Sequence, residues 1–377
     1  MRNPAAATLL AALSTLLVTG GTAAWSLGAR EVPPASRTSA AATVPQRCGP
    51  EPRDAAGWSA LFSRLDGDWA GGDAALSVRL GDGRLLWAFG DSFVGDVRPD
   101  GSRAPGSTIV RNSVLVTDGT CVAAATPGRA TLPARGSTWL WPTSVVRQSA
   151  DRTGTTVIVF AQRMRTSGSG AWGFARVGAA EVRLRVLAHG GVSVGEVRDL
   201  PASDVLWGAA STVSGPTTYI YGTREVRRTW VMGRELLVAR APTGTVADFR
   251  TWSYRTASGW SRRAADAVAV VPAEQGVSTT PSVVRSAGRF RLVTKPQEVF
   301  DDQVVVMSSE TPYGPWRTRT LFSSPSTGTS PTYSPTVVAA GGGTRAVVAV
   351  SRTSTSLAVL MRDASASRPA FYDVDLA

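Results

Sequence analysis

The feature that most constrains this chain is a short pattern that recurs along it: a small polar residue or two, then a β-branched pair. It reads AALSVRL from residue 74, PTSVVRQ from 142, AASTVSG from 209, TPSVVRS from 280 and SPTVVAA from 334. A turn and a second apolar run follow each copy: LLWAFGDS from 85, TVIVFAQR from 156, TYIYGTRE from 218, RFRLVTKP from 289 and AVVAVSRT from 346. Third runs are NSVLVTD from 112, AEVRLRVL from 180, RELLVAR from 234, QVVVMSS from 303 and SLAVLMR from 356. Runs rich in β-branched and aromatic residues between turn residues predict strands. Five antiparallel meanders predict an all-β chain, a five-bladed β-propeller, whose closure leaves only short edges. A β-sandwich also offers many short strands, but fivefold repetition of one hairpin argues against it. Outer strands are expected within residues 239–261 and 308–322. AFYDVDLA from 370 is expected to close the ring beside the first blade. Trp252, Trp260 and Trp316 are expected to pack between blades.

The chain has 377 residues, 43% of them hydrophobic, enough for one large domain or two ordinary ones. Its formal charge of +12 is nearly all arginine, Lys295 being the single lysine. Such a balance suits nucleic acid, an anionic membrane or an acidic wall polymer. The arginines are scattered along alternating strands with no run of five or six, which reads as a solvated surface, and no nucleic-acid module is recognisable.

Arg2 is followed by an apolar stretch that stays uncharged until Arg30. Residues 1–29 therefore read as a signal peptide or membrane anchor, with the Gly20-Gly21 break favouring cleavage. Residues 30–57 are rich in Pro, Ser, Thr and Ala and read as a flexible tether, leaving 58–377 for the propeller. The expected location is secreted or attached to the cell envelope, with the membrane reached only through the N-terminus. In such a compartment the two cysteines, Cys48 and Cys121, are expected to form one disulfide pinning the edge of the first blade.

Candidate chemistry starts from GDAALSVRLGDGRLLWAFGDSF at 72–93. Asp73 lies nine residues before Asp82 in the Gly81-Asp82-Gly83 turn, and Asp91 nine after it. A symmetric turn would set the two aspartates opposite each other on one side of the hairpin. Neighbouring carboxylates repel, so one holds its proton more tightly, and such a pair supplies an acid and a base or nucleophile. Glycoside hydrolysis uses that combination. A calcium site and turn-capping aspartates are the alternatives. Asp73 begins the channel-lining strand and is expected to be base or nucleophile, with Asp91 the acid. The same strand-end reasoning puts Gln162, Arg163, Thr223, Arg224, Lys295 and Arg352 near the mouth, with Trp141, Trp207, Thr280 and Tyr333. Indole faces beside amide and guanidinium donors suit sugars. The single histidine, His189, sits in a turn and lacks the partners of a serine hydrolase. Two cysteines and one histidine make no zinc site, and no phosphate-binding loop is present. No cofactor is expected, calcium alone being left open.

WAGGDAALSVRLGDGRLLWAFGDSF, IVRNSVLVTDG, WPTSVV, YIYGTRE and DFRTWSYRTASGW resemble segments of a family of secreted actinobacterial five-bladed propellers. That family includes endo-D-arabinanases acting on mycobacterial arabinogalactan and lipoarabinomannan. The resemblance spans about residues 58–377 and implies a funnel at the ring axis with catalytic acids in the first blade, here Asp73 and Asp91. More distantly the chain is similar to arabinanase and invertase propellers, which take three acids from inner strands of different blades. The inner strands WPTSVV and WGAAST carry no acid, and Glu225 and Glu298 near second-strand ends are the substitutes. The resemblance thus implies a glycosidase of cell-wall arabinan. A carbohydrate-binding envelope propeller without turnover is the alternative.

Overall fold

The computed structural model describes residues 47–63, 67–170, 172–188, 190–338 and 343–377. The expected leader, most of the tether and His189 lie outside the described residues. Residues 47–57, expected to end the tether, instead contribute the strand Arg47–Cys48 and the start of the helix Ala55–Ser63. Among the described residues no helix is long and apolar enough to cross a membrane.

The described chain is almost all antiparallel sheet. The first sheet runs, from its inner edge outward, Leu76–Arg79, Leu85–Phe89, Ser113–Thr117, Cys121–Ala124 and Arg47–Cys48. The second runs Thr138–Asp151, Gly154–Thr166, Phe174–Leu187, Val192–Asp199. The third runs Val205–Ser214, Thr217–Arg224, Glu235–Pro242, Ser253–Arg255, Trp260–Ser261. The fourth runs Ser282–Ser286, Arg289–Thr294, Gln303–Ser309, Arg317–Ser323, and the fifth Thr332–Val337, Arg345–Arg352, Ala370–Asp375. The first strand of each sheet touches the first strand of the next, and that of the fifth touches that of the first, so these five sheets close a cycle.

Apolar packing follows the same cycle. Leu86, Val157 and Leu184 fill the space between the first and second sheets. Phe160, Trp207 and Trp252 lie between the second and third. Tyr221, Leu292 and Met307 lie between the third and fourth, with Trp260 and Trp316 packed against them. Val304, Val348 and Val350 join the fourth to the fifth. Trp58 and Phe62 of the Ala55–Ser63 helix, with Trp87, Phe89, Ala349 and Phe371, close the fifth onto the first. Burial of the second strands, such as Leu85–Phe89 and Gly154–Thr166, explains why they read as near-continuous apolar runs.

Three departures from the sequence reading have local causes. SLAVLMR forms the helix Leu357–Arg362, not a strand, with the Ser356 side chain accepting a bond from Val359 N as its N-cap. Its expected place as third strand of the fifth sheet is taken by Ala370–Asp375, paired with Arg345–Arg352. That last segment therefore pairs within the fifth sheet, while its Phe371 packs on Trp87 of the first.

The third departure is a sixth sheet of three short strands, Gly67–Gly72, Ser92–Gly95 and Thr108–Val110. Each continues a strand of the first sheet, interrupted at Asp73–Ala75, at Gly90–Asp91 and at Arg111–Asn112. The first sheet is thus folded in two across those residues. The outer half rests on the Leu357–Arg362 helix through Ala70, Phe93 and Leu360. Arg103 is buried there with its guanidinium over the Phe93 ring, donating to Leu360 O and, at 2.7 Å, to Ser367 Oγ.

The expected disulfide is formed. Cys48 and Cys121 are register partners on the two outermost strands of the first sheet.

Candidate functional site

Four of the five inner strands are irregular at the same end, that of the fourth sheet being regular. Register slips after Trp207 in the third sheet and after Tyr333 in the fifth. In the second it slips one residue beyond Trp141, between Pro142 and Ser144. In the first, Ala74 and Ala75 both adopt left-handed backbone, at φ 72° and 47°, between Asp73 and the strand. Bulges re-aim the side chains before them and concentrate next to active sites. Left-handed alanines cost about 1–2 kcal/mol each and persist only where the surroundings impose them. Here the fifth sheet does so: Ala74 N donates to Ser351 Oγ at 2.8 Å, and Thr336 Oγ1 donates to Ala75 O at 3.0 Å.

That clamp brings the two aspartates together. The hairpin pairs Leu76 with Ala88 and Arg79 with Leu85, a register whose extension sets Asp73 opposite Asp91. Gly90 N donates to Asp73 O at 3.0 Å. A Cβ on Gly90 would stand 2.2 Å from Asp73 Oδ1, so the carboxylate lies directly on the glycine backbone and any side chain there would displace it. On the other side the pairing of Phe89 with Ser113 extends to set Arg111 opposite Asp91.

The pair's partners come from three sheets. Tyr333 of the fifth sheet donates its hydroxyl to Asp73 Oδ2 at 2.6 Å. Trp141 of the second donates Nε1–H to Asp91 Oδ1 at 2.8 Å. Arg111 donates to Asp91 Oδ2 at 3.2 Å, and its guanidinium lies 4.4 Å above the Trp139 ring. The Asp91 side chain keeps 33% of its surface open to solvent, so the pair is walled by protein yet reachable.

Electrostatics separates the two acids. Burial first, then the charge of Asp91, push the Asp73 carboxyl up to about 7, against the lowering effect of the Tyr333 bond. Burial also raises Asp91, but Arg111 and the Trp141 bond oppose it. Asp73 is therefore the member that keeps a proton near neutrality, and Asp91 the one whose ionised form has a cation beside it. Burial and the neighbouring carboxylates raise Tyr333 well above its ordinary value, so it remains a donor.

The other sequence candidates divide. Gln162 is half-buried and is the register partner of Trp141, so it stands beside the pair's indole. Trp207 does not: it is buried, packed on Tyr254 at 5.0 Å and on Trp252 in the core between second and third sheets. Thr223 is buried and donates to Thr279 O at 2.9 Å. Lys295 is fully buried, its ammonium donating to Ser324 O, Ser326 Oγ, Thr332 O and Thr332 Oγ1. Burial lowers it to about 8, and it ties the fourth sheet to the strand carrying Tyr333 and does not face the mouth. Arg224 is committed to Glu235 at 2.7 Å, and Arg352 donates to Arg368 O at 3.1 Å. Thr280 Oγ1 bonds Ser334 Oγ at 2.8 Å, next to Tyr333. Glu298 accepts from Thr279 N, Thr279 Oγ1 and Arg234 Nε, while exposed Glu225 pairs with Arg234 at 3.4 Å.

Arg111 was missed. Its signal is an arginine in IVRNSV just before the third strand, and using it requires the register across the 96–107 connection. A calcium ion does not fit the pair. Three of its four carboxylate oxygens accept bonds from Tyr333, Trp141 and Arg111, and the arginine already supplies the positive charge. Among the described residues no group of three or more His, Cys, Asp or Glu side chains is gathered as for a metal ion.

Solved structures are similar to this chain at low identity. A protein of Bacteroides ovatus ATCC 8483, provisionally described as a hydrolase, is similar with a TM-score of 0.66 and 18% identity, over 84% of this chain and 88% of that one. A GH43_1 enzyme of Xanthomonas citri matches with a TM-score of 0.45 and 12% identity, over 84% and 92% of the two chains. An arabinoxylan arabinofuranohydrolase of Bacillus subtilis matches with a TM-score of 0.47 and 14% identity, over 80% and 63%. No curated protein matches the chain. Residues 56–375 match the family described as "Domain of unknown function (DUF5005)", and the chain belongs to that family.

Proposed function

We propose that the five-sheet cycle is a five-bladed β-propeller and that it hydrolyses glycosidic bonds in a cell-wall arabinan, in the manner of an endo-D-arabinanase. The observation that carries this reading is the Asp73–Asp91 pair, held by donors from three sheets and split in proton affinity by burial on one side and Arg111 on the other. Asp73 is the acid and protonates the leaving oxygen. Asp91 is the base or nucleophile, kept ionised by Arg111 and oriented by Trp141. This reverses the roles expected from position along the strands, because nearness to the axis says nothing about which carboxyl is better solvated or better paired. An acid with a pKa near the working pH suits proton transfer to a leaving group.

Trp141 and Gln162 bind the sugar next to the cleaved bond. Arg224 and Arg352, partly exposed at second-strand ends, remain rim contacts. Trp207, Thr223 and Lys295 hold the scaffold. The disulfide suits an oxidising compartment, and the chain acts outside the cytoplasm, secreted or held at the envelope by its N-terminal segment. The description of the Bacteroides ovatus protein as a hydrolase accords with this class of reaction.

Incubating the protein with purified arabinogalactan and chromatographing the soluble products tests the reading. Released arabino-oligosaccharides are expected from the native protein and not from Asp91→Asn. Retained binding with no release would make the chain a carbohydrate-binding module.

A further inference from the structure

The second sheet differs from the others in length. Its strands Gly154–Thr166 and Phe174–Leu187 have 13 and 14 residues, and their hairpin continues past the level of the acid pair. Gln162 is level with Trp141, and Thr166, paired with Phe174, lies four residues farther out, about 13 Å at the rise of a strand. The hairpin therefore forms a wall standing over Asp91.

An aromatic row climbs this wall. Trp139 lies 5.9 Å from Trp141, Trp141 lies 4.7 Å from Phe174, and Phe174 lies 6.3 Å from Trp172, all between ring centroids. Trp139, level with Met164, is buried; Trp141 and Phe174 are half-buried, and Trp172 at the tip is 56% exposed. The rest of the hairpin tip, residues 165–170, is RTSGSG and polar or glycine throughout. Trp172 touches Phe174 and leaves more than half of its surface in water, which extends the apolar surface of the row to the end of a short polar turn. Its continuity with Trp141, whose indole bonds Asp91, ties the row to the candidate active site.

We infer that Trp141, Phe174 and Trp172 form a binding arm for successive sugar units of a polymer, on the side of the scissile bond nearer Asp91. The inference rests on the hydrolase reading for the identity of the ligand. The rings are edge-to-face at Trp141–Phe174 and tilted at Phe174–Trp172, so their uncovered apolar surfaces step along the wall, and the centroid spacings of 4.7 and 6.3 Å are of the order of one sugar ring with its linking oxygen. Gln162 supplies an amide for hydroxyls at the inner end. The arm accounts for what a two-carboxylate site alone lacks, a reason to prefer long chains over short ones.

The test is calorimetric titration of the full-length protein with arabino-oligosaccharides, comparing a disaccharide with an octasaccharide. Native protein is expected to bind the longer ligand more tightly. Trp172→Ala and Phe174→Ala should each lose about threefold to tenfold more affinity for the octasaccharide than for the disaccharide. Trp230→Ala, which removes a 65%-exposed indole elsewhere, should change neither. Equal losses at both lengths, or none, in Trp172→Ala and Phe174→Ala overturn the arm while leaving the acid pair intact. If Asp73→Asn and Asp91→Asn hydrolyse normally but the length-dependent losses persist, the arm stands and the catalytic assignment falls. No binding of either ligand by native protein overturns both.

Discussion

Two pairs of carboxylates stand at strand ends of this ring, and their surroundings differ. Asp73 and Asp91 face each other beside one hydroxyl, one indole and one guanidinium, with the backbone of Asp73 and Asp91 also bonding the Asp73 carboxyl, and burial pushes both carboxyls upward. Glu298, between the third and fourth sheets, accepts from a backbone amide, a hydroxyl and an arginine, and Glu225 rests on that same arginine in the open. The first pair is buried and mutually repelling, which leaves a proton in play. The second is satisfied, and its acids act as clamps. Position at a strand end is common to both; the donor set distinguishes an acid that can do chemistry from one that holds structure.

The sharpest way to break this comparison is to exchange carboxylate for amide in each pair. Asp91→Asn and Asp73→Asn should each lower the rate of arabinan hydrolysis by about 10²- to 10⁴-fold, the usual contribution of general acid–base catalysis. Glu225→Gln and Glu298→Gln should leave turnover near native. Initial rates from released reducing ends decide the matter. A large rate loss in Glu298→Gln with an intact fold would move the chemistry to the second pair.

Stability should run the opposite way. Glu298→Gln keeps Oε1 as acceptor for Thr279 N, Thr279 Oγ1 and Arg234 Nε but removes the charge that strengthens these bonds, and should cost about 1–2 kcal/mol in urea unfolding. Asp73→Asn removes a carboxylate that burial and Asp91 both disfavour, so it should unfold at the native urea concentration or higher. The pH dependence sharpens this. Asp73 binds its proton more tightly folded than unfolded, so its contribution to stability is complete below about pH 4 and is lost as pH rises through about 7. Native protein should therefore have a lower unfolding midpoint at about pH 8 than at about pH 5, and Asp73→Asn should flatten that difference.

Much of this contrast was legible beforehand. The ring was visible because each hairpin repeats a small-polar start and an apolar second strand, and the acid pair because Gly81-Asp82-Gly83 fixes a register that counting can follow. Counting gives height along a strand, and height was right for Trp141 and Tyr333 as well as for Trp207, Thr223 and Lys295. It does not give the side of the sheet. Trp207 precedes a two-residue bulge at Gly208-Ala209 and turns into the core against Tyr254. Lys295 bends away into four oxygen acceptors. SLAVLMR could not be typed by periodicity, since a short apolar run serves helix and strand alike, and the Ser356 cap decides it. The sixth sheet, produced by breaking three strands at one level, has no periodic signature.

The smallest predicted effect tests the hydroxyl that distinguishes Asp73's surroundings. Tyr333 donates to Asp73 Oδ2 at 2.6 Å, and a donor favours the ionised carboxylate, so this bond holds Asp73 below where burial and Asp91 would otherwise put it. Tyr333→Phe removes the donor and keeps the ring. The proton on Asp73 should then be held more tightly, and the alkaline limb of kcat, which reports loss of the acid, should move upward by about one pH unit. Packing damage alone would lower kcat at every pH without moving the limb. If the limb moves downward, the Asp73 proton is not the one that reaches the leaving group, and the acid role passes to Asp91. If it stays in place while Trp141→Phe, which takes a donor from Asp91, shifts the acidic limb upward, the bond to Tyr333 is a structural contact and Asp91 alone is tuned by its neighbours.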